Sequence, residues 1–144
     1  MNPRRESGTR NLAEVRRVLI VDDNHDSAEL LALVLGREGH ETRVAYDPQE
    51  AIPLAEAFRP NLAFLDIGLP GMDGFQLLEV LRQMPGLATC QFVAVTGYEE
   101  AVAGESRARG FDAHLLKPID LNSVTSLVLS LGQSESVAAR PATA

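Results

Sequence analysis

Val18-Leu19-Ile20-Val21-Asp22-Asp23 is a run of four apolar residues that ends, without a spacer, in two carboxylates. A continuous apolar run of this length is the pattern of a strand buried on both faces, as in a parallel sheet covered by helices on each side. The pattern recurs three times. Leu62-Ala63-Phe64-Leu65 ends in Asp66, Phe92-Val93-Ala94-Val95 ends in Thr96, and Ala113 to Leu116 ends in Lys117-Pro118. Glu41 to Ala45 reads as a shorter strand, second in chain order.

Helical patterns fill the gaps. Leu30, Leu31, Val34 and Leu35 fall at helical spacing, and Gly39 is a C-terminal stop after a helix reaching about Glu38. Asp47-Pro48-Gln49-Glu50 is a helix start: an N-cap, a proline in the first turn and an acidic capping partner. That helix should run to about Phe58, with Pro53 removing one backbone bond and predicting a kink or irregular turn. A third helix begins near Asp73 and ends around Met84-Pro85-Gly86. A weaker fourth covers about 99–109, and a fifth runs from Leu121 to Leu131 with Asp120 as N-cap. Five consecutive βα units predict an α/β, doubly wound parallel sheet with right-handed crossovers.

The expected organisation is one folded domain over 16–131, a disordered basic arm over 1–15 and a disordered Ser/Ala-rich tail over 132–144. The 144 residues suffice for one core, and 45% hydrophobic with 23% charged residues is a soluble-globular composition. No apolar run is long enough to span a membrane, and the N-terminus lacks the apolar region of a signal peptide. Cys90 is the sole cysteine, so no intramolecular disulfide can form; this favours a reducing, cytoplasmic setting. The net charge of -7 is uneven: residues 1–17 hold five arginines and two glutamates, while 18–131 hold seven basic against seventeen acidic residues. An acidic body argues against direct nucleic-acid binding.

In an open parallel sheet, ligands bind outside the carboxyl ends of the strands. There stand Asp22, Asp23, Asp66, Thr96 and Lys117, while the strand interiors are almost wholly apolar. Converging carboxylates repel unless a cation sits among them, and hard oxygen donors suit Mg²⁺, which accepts a phosphate as co-ligand. Lys117 supplies a point charge for a phosphoryl oxygen and Thr96 a hydroxyl donor. Each residue alone has a plainer explanation: a strand-end Asp is often an N-cap, a strand-end Thr reflects β-propensity, and a Lys before Pro is often an exposed turn residue. Their joint occurrence, at four strand ends, is what points to chemistry.

Over about residues 16–131 the chain resembles the receiver domains of two-component response regulators. The resemblance rests on Val18-Leu19-Ile20-Val21-Asp22-Asp23, on Leu65-Asp66-Ile67 with Leu69-Pro70-Gly71-Met72-Asp73-Gly74, on Val95-Thr96-Gly97 and on Leu116-Lys117-Pro118. It implies a flavodoxin-like, chemotaxis-regulator-like fold of five strands and five helices. It also implies that Asp66 is the phosphoacceptor, Asp23 a direct metal ligand, Asp22 a ligand acting mainly through a water on the metal, and the Gly68 carbonyl the remaining protein ligand. Thr96 and Lys117 would bind phosphoryl oxygens, with a cis bond at Lys117-Pro118. The implied partners are a sensor histidine kinase or histidine phosphotransfer protein. Downstream stands a protein target or a homodimer, reached through the face of the fourth helix, fifth strand and fifth helix.

The chain departs from that family at three positions. Gly68 has no side chain to orient or block a hydrolytic water, and Tyr98 places a bulky group near the same path as a modulator. His114 stands where an aromatic switch residue is usual; its imidazole would make the face pH-sensitive, whereas its plain reading is a surface histidine on a strand. Val95-Thr96-Gly97-Tyr98 and Gly68-Leu69-Pro70 also carry a weaker similarity to receivers of hybrid sensor kinases. A phosphatase of the haloacid-dehalogenase type would want a second Asp two residues after Asp66, where Gly68 stands, and no P-loop occurs. The chain therefore reads as a signalling switch that catalyses only its own phosphorylation and dephosphorylation. A degenerate, phosphorylation-independent docking module would lack one of the essential residues, and all are present. No output domain follows residue 131 in this sequence, which fits either a single-domain regulator or a piece of a larger protein.

Overall fold

The computed structural model describes residues 15–69, 71–97 and 110–138. In chain order these form β1 (Arg17–Val21), α1 (His25–Arg37), β2 (Glu41–Ala45), α2 (Pro48–Phe58), β3 (Leu62–Asp66), α3 (Gly74–Arg82), a 3₁₀ turn (Pro85–Leu87), β4 (Gln91–Thr96), β5 (Ala113–Leu116) and α4 (Leu121–Ala138). The helix expected over 99–109, and Tyr98 before it, lie outside the described residues.

All five strands are parallel, in the order β2-β1-β3-β4-β5. Because successive side chains of a strand point to opposite faces, the continuous apolar runs supply two cores at once. Leu19, Val21, Ala63, Leu65, Phe92 and Ala94 pack on one face with Ala51 and Ala55 of α2 and Leu77, Leu78 and Leu81 of α3. Val18, Ile20, Leu62, Phe64, Val93 and Val95 pack on the other with Leu31 and Leu35 of α1 and Val124, Val128 and Leu131 of α4. Each fully buried Leu or Phe contributes roughly 1.5–3 kcal/mol. The order of strands reverses at β1, which leads outward to β2 on one side while β3 lies on the other. The crevice above that switch point is where such a sheet binds ligands.

Local capping fixes where the helices enter. Asn24 caps α1 by accepting the Ser27 N–H at 2.9 Å, and Asp73 and Gln76 form a reciprocal capping box on α3. The capping partner on α2 is displaced by one residue. Asp47 accepts the Glu50 N–H at 2.8 Å, but the Glu50 carboxylate accepts from Tyr46, one position before the cap. Asp120 accepts the Ser123 N–H at 3.2 Å and so caps α4 as the sequence suggests.

Several expectations are corrected. α2 runs through Pro53 as one α-helix, without an irregular turn there. α3 stops at Arg82, and Pro85 opens a separate 3₁₀ turn, because a proline has no N–H to continue the ladder. α4 does not end at Leu131 but continues to Ala138, so much of the stretch expected as a disordered tail is helical. A glycine costs an α-helix only about 1 kcal/mol, so Gly132 need not stop it, and the next proline is Pro141. Just before β1, Arg16 is anchored at the base of the sheet. Arg16 is 2% exposed, with its guanidinium donating to Gln91 Oε1 at 2.6 Å and to the Asn61 carbonyl at 3.2 Å.

Candidate functional site

β1 and β3 are adjacent, with Val21 opposite Leu65, so the residues following both strands emerge together. Oxygen atoms of Asp22, Asp23 and Asp66 come within 4.8 Å of one another. Asp22 and Asp66 are buried, at 3% and 8% exposure, and Asp23 is exposed at the mouth. Lys117, at the end of β5, reaches across β4: its Nζ lies 3.3 and 3.1 Å from the two oxygens of Asp22 and 3.3 Å from Asp66 Oδ2. The other Asp66 oxygen, Oδ1, accepts the Gly68 N–H at 2.9 Å. One ammonium and one amide thus fix the plane of the Asp66 carboxylate.

Thr96 is buried at the end of β4, one residue beyond Val95, which pairs with Asp66. Its carbonyl accepts the Lys117 N–H at 2.8 Å, and the Lys117-Pro118 bond is cis, as the resemblance implied. His114 is half-buried on β5, opposite Ala94, on the edge of the sheet away from the carboxylates. The fold therefore gathers Asp22, Asp23, Asp66, Gly68 and Lys117 into one site with Thr96 beside it. Two features were not read from the sequence: Asn24 donates its backbone N–H to Asp22 Oδ1 at 2.9 Å, and the His25 and Tyr46 rings stack at 3.7 Å beside the Asp pair. An Asx turn is a local signal that an Asp-Asp-Asn run could have supplied; the stack joins separate elements and leaves none.

One ammonium contacts Asp22 and Asp66, and the exposed Asp23 adds a third carboxylate, so negative charge exceeds positive in a partly buried pocket. An all-oxygen donor set of this charge fits a hard divalent cation and disfavours softer transition metals. The site shows the strain that such a cation relieves. Burial pushes the Asp22 carboxyl up to about 6, helped by its contact with Asp66; the Asn24 N–H and Lys117 pull the other way. For Lys117, burial works against the ammonium, but the hydrogen bonds and charges of Asp22 and Asp66 outweigh it and raise the group. Cys90 takes no part: burial pushes its thiol up to about 12, far from a reactive thiolate.

A raised carboxyl has a stability consequence. The folded, metal-free chain holds a proton on Asp22 that the unfolded chain has lost, so stability falls as pH rises from about 4 to about 6 and the cost is fully present above that. A rise of this size corresponds to at most about 3 kcal/mol, shared with the coupled Asp66 and Lys117. Asp22→Asn is therefore expected to be more stable than the parent by about 1–3 kcal/mol in chelator at pH 7.5, with the gap closing toward pH 4. Denaturant titrations at several pH values check this. A variant no more stable at pH 7.5 would refute the strain.

Residues 18–129 match the response regulator receiver domain. The chain is 37% identical over 72% of its length to the DNA-binding response regulator MtrA of Mycobacterium tuberculosis, of which it spans 44%. It is 31% identical over 78% of its length to sporulation initiation phosphotransferase F of Bacillus subtilis, spanning 90% of that protein. Among solved structures, a CheY-like receiver domain protein of Methanospirillum hungatei superposes with a TM-score of 0.75 at 28% identity, covering 85% of this chain and 98% of that one.

Proposed function

The chain belongs to the response regulator receiver family of two-component systems, and from that membership we propose that it accepts a phosphoryl group on Asp66 and turns it into a change of its interaction surface. The observation that carries this reading is the held carboxylate of Asp66, flanked by Lys117 and by two further carboxylates. Asp22, Asp23 and Asp66, with the carbonyl of Gly68, would hold Mg²⁺. When bound, that cation supplies positive charge to the phosphoryl oxygens.

The rest is done by the chain. An Asp66 oxygen attacks the phosphorus of a phosphohistidine on a kinase or phosphotransfer protein; the O–P bond forms as the P–N bond breaks, and its electron pair stays on the departing imidazole. Lys117, which rests on Asp22 and Asp66, moves its hydrogen bond to an incoming phosphoryl oxygen. The Thr96 hydroxyl then donates to the new dianion and draws the end of β4 inward, a local charge event biasing a two-state element. Gly68 leaves the path to the acyl phosphate open on its side, and chain-catalysed hydrolysis resets the switch. A small phosphodonor such as acetyl phosphate with Mg²⁺ tests the reading. One base-labile adduct should appear by intact mass and vanish in chelator; no adduct would sink it.

The output is a protein contact, to a downstream target or a second copy. Leu116 on β5, opposite Thr96, and Leu121 and Leu129 on α4 are exposed large apolar residues. The acidic body favours protein over DNA there, and the reducing setting suggested by Cys90 fits a cytoplasmic switch. Among the described residues no helix is long and apolar enough to cross a membrane. Thr96→Ala is expected to separate the two steps. It should accept phosphate within about fivefold of the parent rate, since the Thr96 hydroxyl bonds the dianion mainly after transfer and only about 1 kcal/mol of that bond acts before it. It should also lose most of the phosphorylation-induced chemical-shift change in β5 and α4. Full retention of those changes would refute the coupling.

A further inference from the structure

We infer that Gly74 is a positioning residue for phosphoryl acceptance: the bare first turn of α3 is what lets that helix clamp the peptide carrying Asp66. This rests on Asp66 being the phosphoacceptor.

The three described glycines of the β3–α3 connection are there for different reasons. Gly71 has φ +82°, a backbone that side chains resist, with open space around it. Gly68 could carry a Cβ, which would meet Asp66 Oδ1 at an ordinary 3.8 Å. Gly74 has no positive φ, yet a Cβ there would lie 2.7 Å from the Asp66 carbonyl oxygen, 2.9 Å from Ile67 Cα and 3.2 Å from the Asp66 carbonyl carbon. All three are backbone atoms at the end of the central strand, and none can swing aside as a side chain would.

The close approach closes a ring of backbone bonds. Gly74 N–H donates to the Ile67 carbonyl at 3.0 Å, while Ile67 N–H donates to Val95 of β4, also at 3.0 Å. Ile67 is thereby gripped from α3 on one side and from the sheet on the other. The next N–H along, that of Gly68, is the one that orients Asp66 Oδ1. A methyl at position 74 must lift the start of α3 from this peptide, release the Ile67 carbonyl, and free the Gly68 N–H to leave the carboxylate. Helix capping does not explain the glycine: the Asp73–Gln76 box involves the side chains on either side of it, and glycine is a poor helix former.

The test compares the full chain with Gly74→Ala, using Asp66→Asn as the blank. Adduct formation from acetyl phosphate and Mg²⁺ is followed by intact mass and expressed per folded molecule. The Gly68 amide is followed by ¹⁵N-correlated NMR without donor or metal. Since a misplacement near 1 Å can cost about a hundredfold, Gly74→Ala should be slowed at least about tenfold. Its Gly68 amide should lose the downfield shift of a charge-assisted hydrogen bond, while amides of β2 stay in place. A purely structural glycine would lower the melting temperature and move neither readout; that result overturns the inference and leaves Asp66 as acceptor. No adduct on the parent chain would instead overturn the functional reading and this inference with it. Should Gly74→Ala fail to fold, Asp73→Ala loosens the same helix end without a clash. It should slow adduct formation by about threefold, as loss of one N-cap allows, and shift the Gly68 amide in the same direction. An unmoved Gly68 amide in that variant overturns the inference.

Discussion

Asp66→Asn is expected to carry no phosphoryl adduct at any exposure to acetyl phosphate and Mg²⁺ that labels the parent chain fully. The substitution preserves shape, so it tests chemistry and not packing. The amide oxygen can still accept the Gly68 N–H, as Asp66 Oδ1 does at 2.9 Å. The other terminus of the side chain becomes an NH₂ directed at Lys117, where the parent presents Oδ2 at 3.3 Å. A neutral amide neither attacks phosphorus nor balances an ammonium, and the cluster drops from three carboxylates to two, which also weakens cation binding. Intact mass before and after mild base, with peptide mapping, reads the result. An undiminished base-labile adduct would move the acceptor to another residue. Asp23 is the alternative to map first, because it shares the pocket and is exposed.

The second large effect belongs to Lys117. Lys117→Met keeps the length and apolar stem of the side chain and removes only the charge. The ammonium is the one cation that holds Asp22 and Asp66 together among the described residues, and in the proposed transfer it follows charge onto a phosphoryl oxygen. Removing a preorganised donor from developing charge costs about 10²–10³ in rate, and adduct formation should slow by that factor. The chain has no tryptophan, so the rate is read by mass and not by intrinsic emission. Stability in chelator at pH 7.5 should also fall, by about 1–2 kcal/mol, because Asp22 and Asp66 then face each other without a counter-charge; partial exposure of Lys117 keeps this below the cost of a fully buried pair. Lys117→Arg should restore the stability more than the rate, since a planar fork does not replace a point charge at the same spot. A Met variant that labels at the parent rate would remove Lys117 from the mechanism.

Much of this was legible residue by residue. The runs at Val18–Val21, Leu62–Leu65 and Phe92–Val95 announce strands buried on both faces because run length and side-chain alternation are local properties. The polar residue closing each run is equally local, which is why Asp22, Asp66, Thr96 and Lys117 could be singled out before any distance was known. The caps at Asp47 and Asp120 were legible for the same reason, since a cap and its N–H lie within one turn.

The errors fall where local rules compete with distant contacts. Arg16 is buried because Asn61 and Gln91, remote in the chain, offer acceptors at the base of the sheet, and no local pattern announces that contact. The last helix, expected to end at Leu131, runs on through Gly132 because a glycine's cost is small beside the burial of Val124, Val128 and Leu131 on the sheet. The sequence by itself determined the element order, the strand-end residues and the resemblance that named their roles. Only the tertiary structure decided that Lys117 spans Asp22 and Asp66, that burial raises the Asp22 carboxyl, and that α3 lies close enough to Asp66 for position 74 to tolerate no side chain. Those facts depend on strands and helices separated by tens of residues, and the distances between such elements are set by how two cores pack on one sheet, which no local pattern encodes.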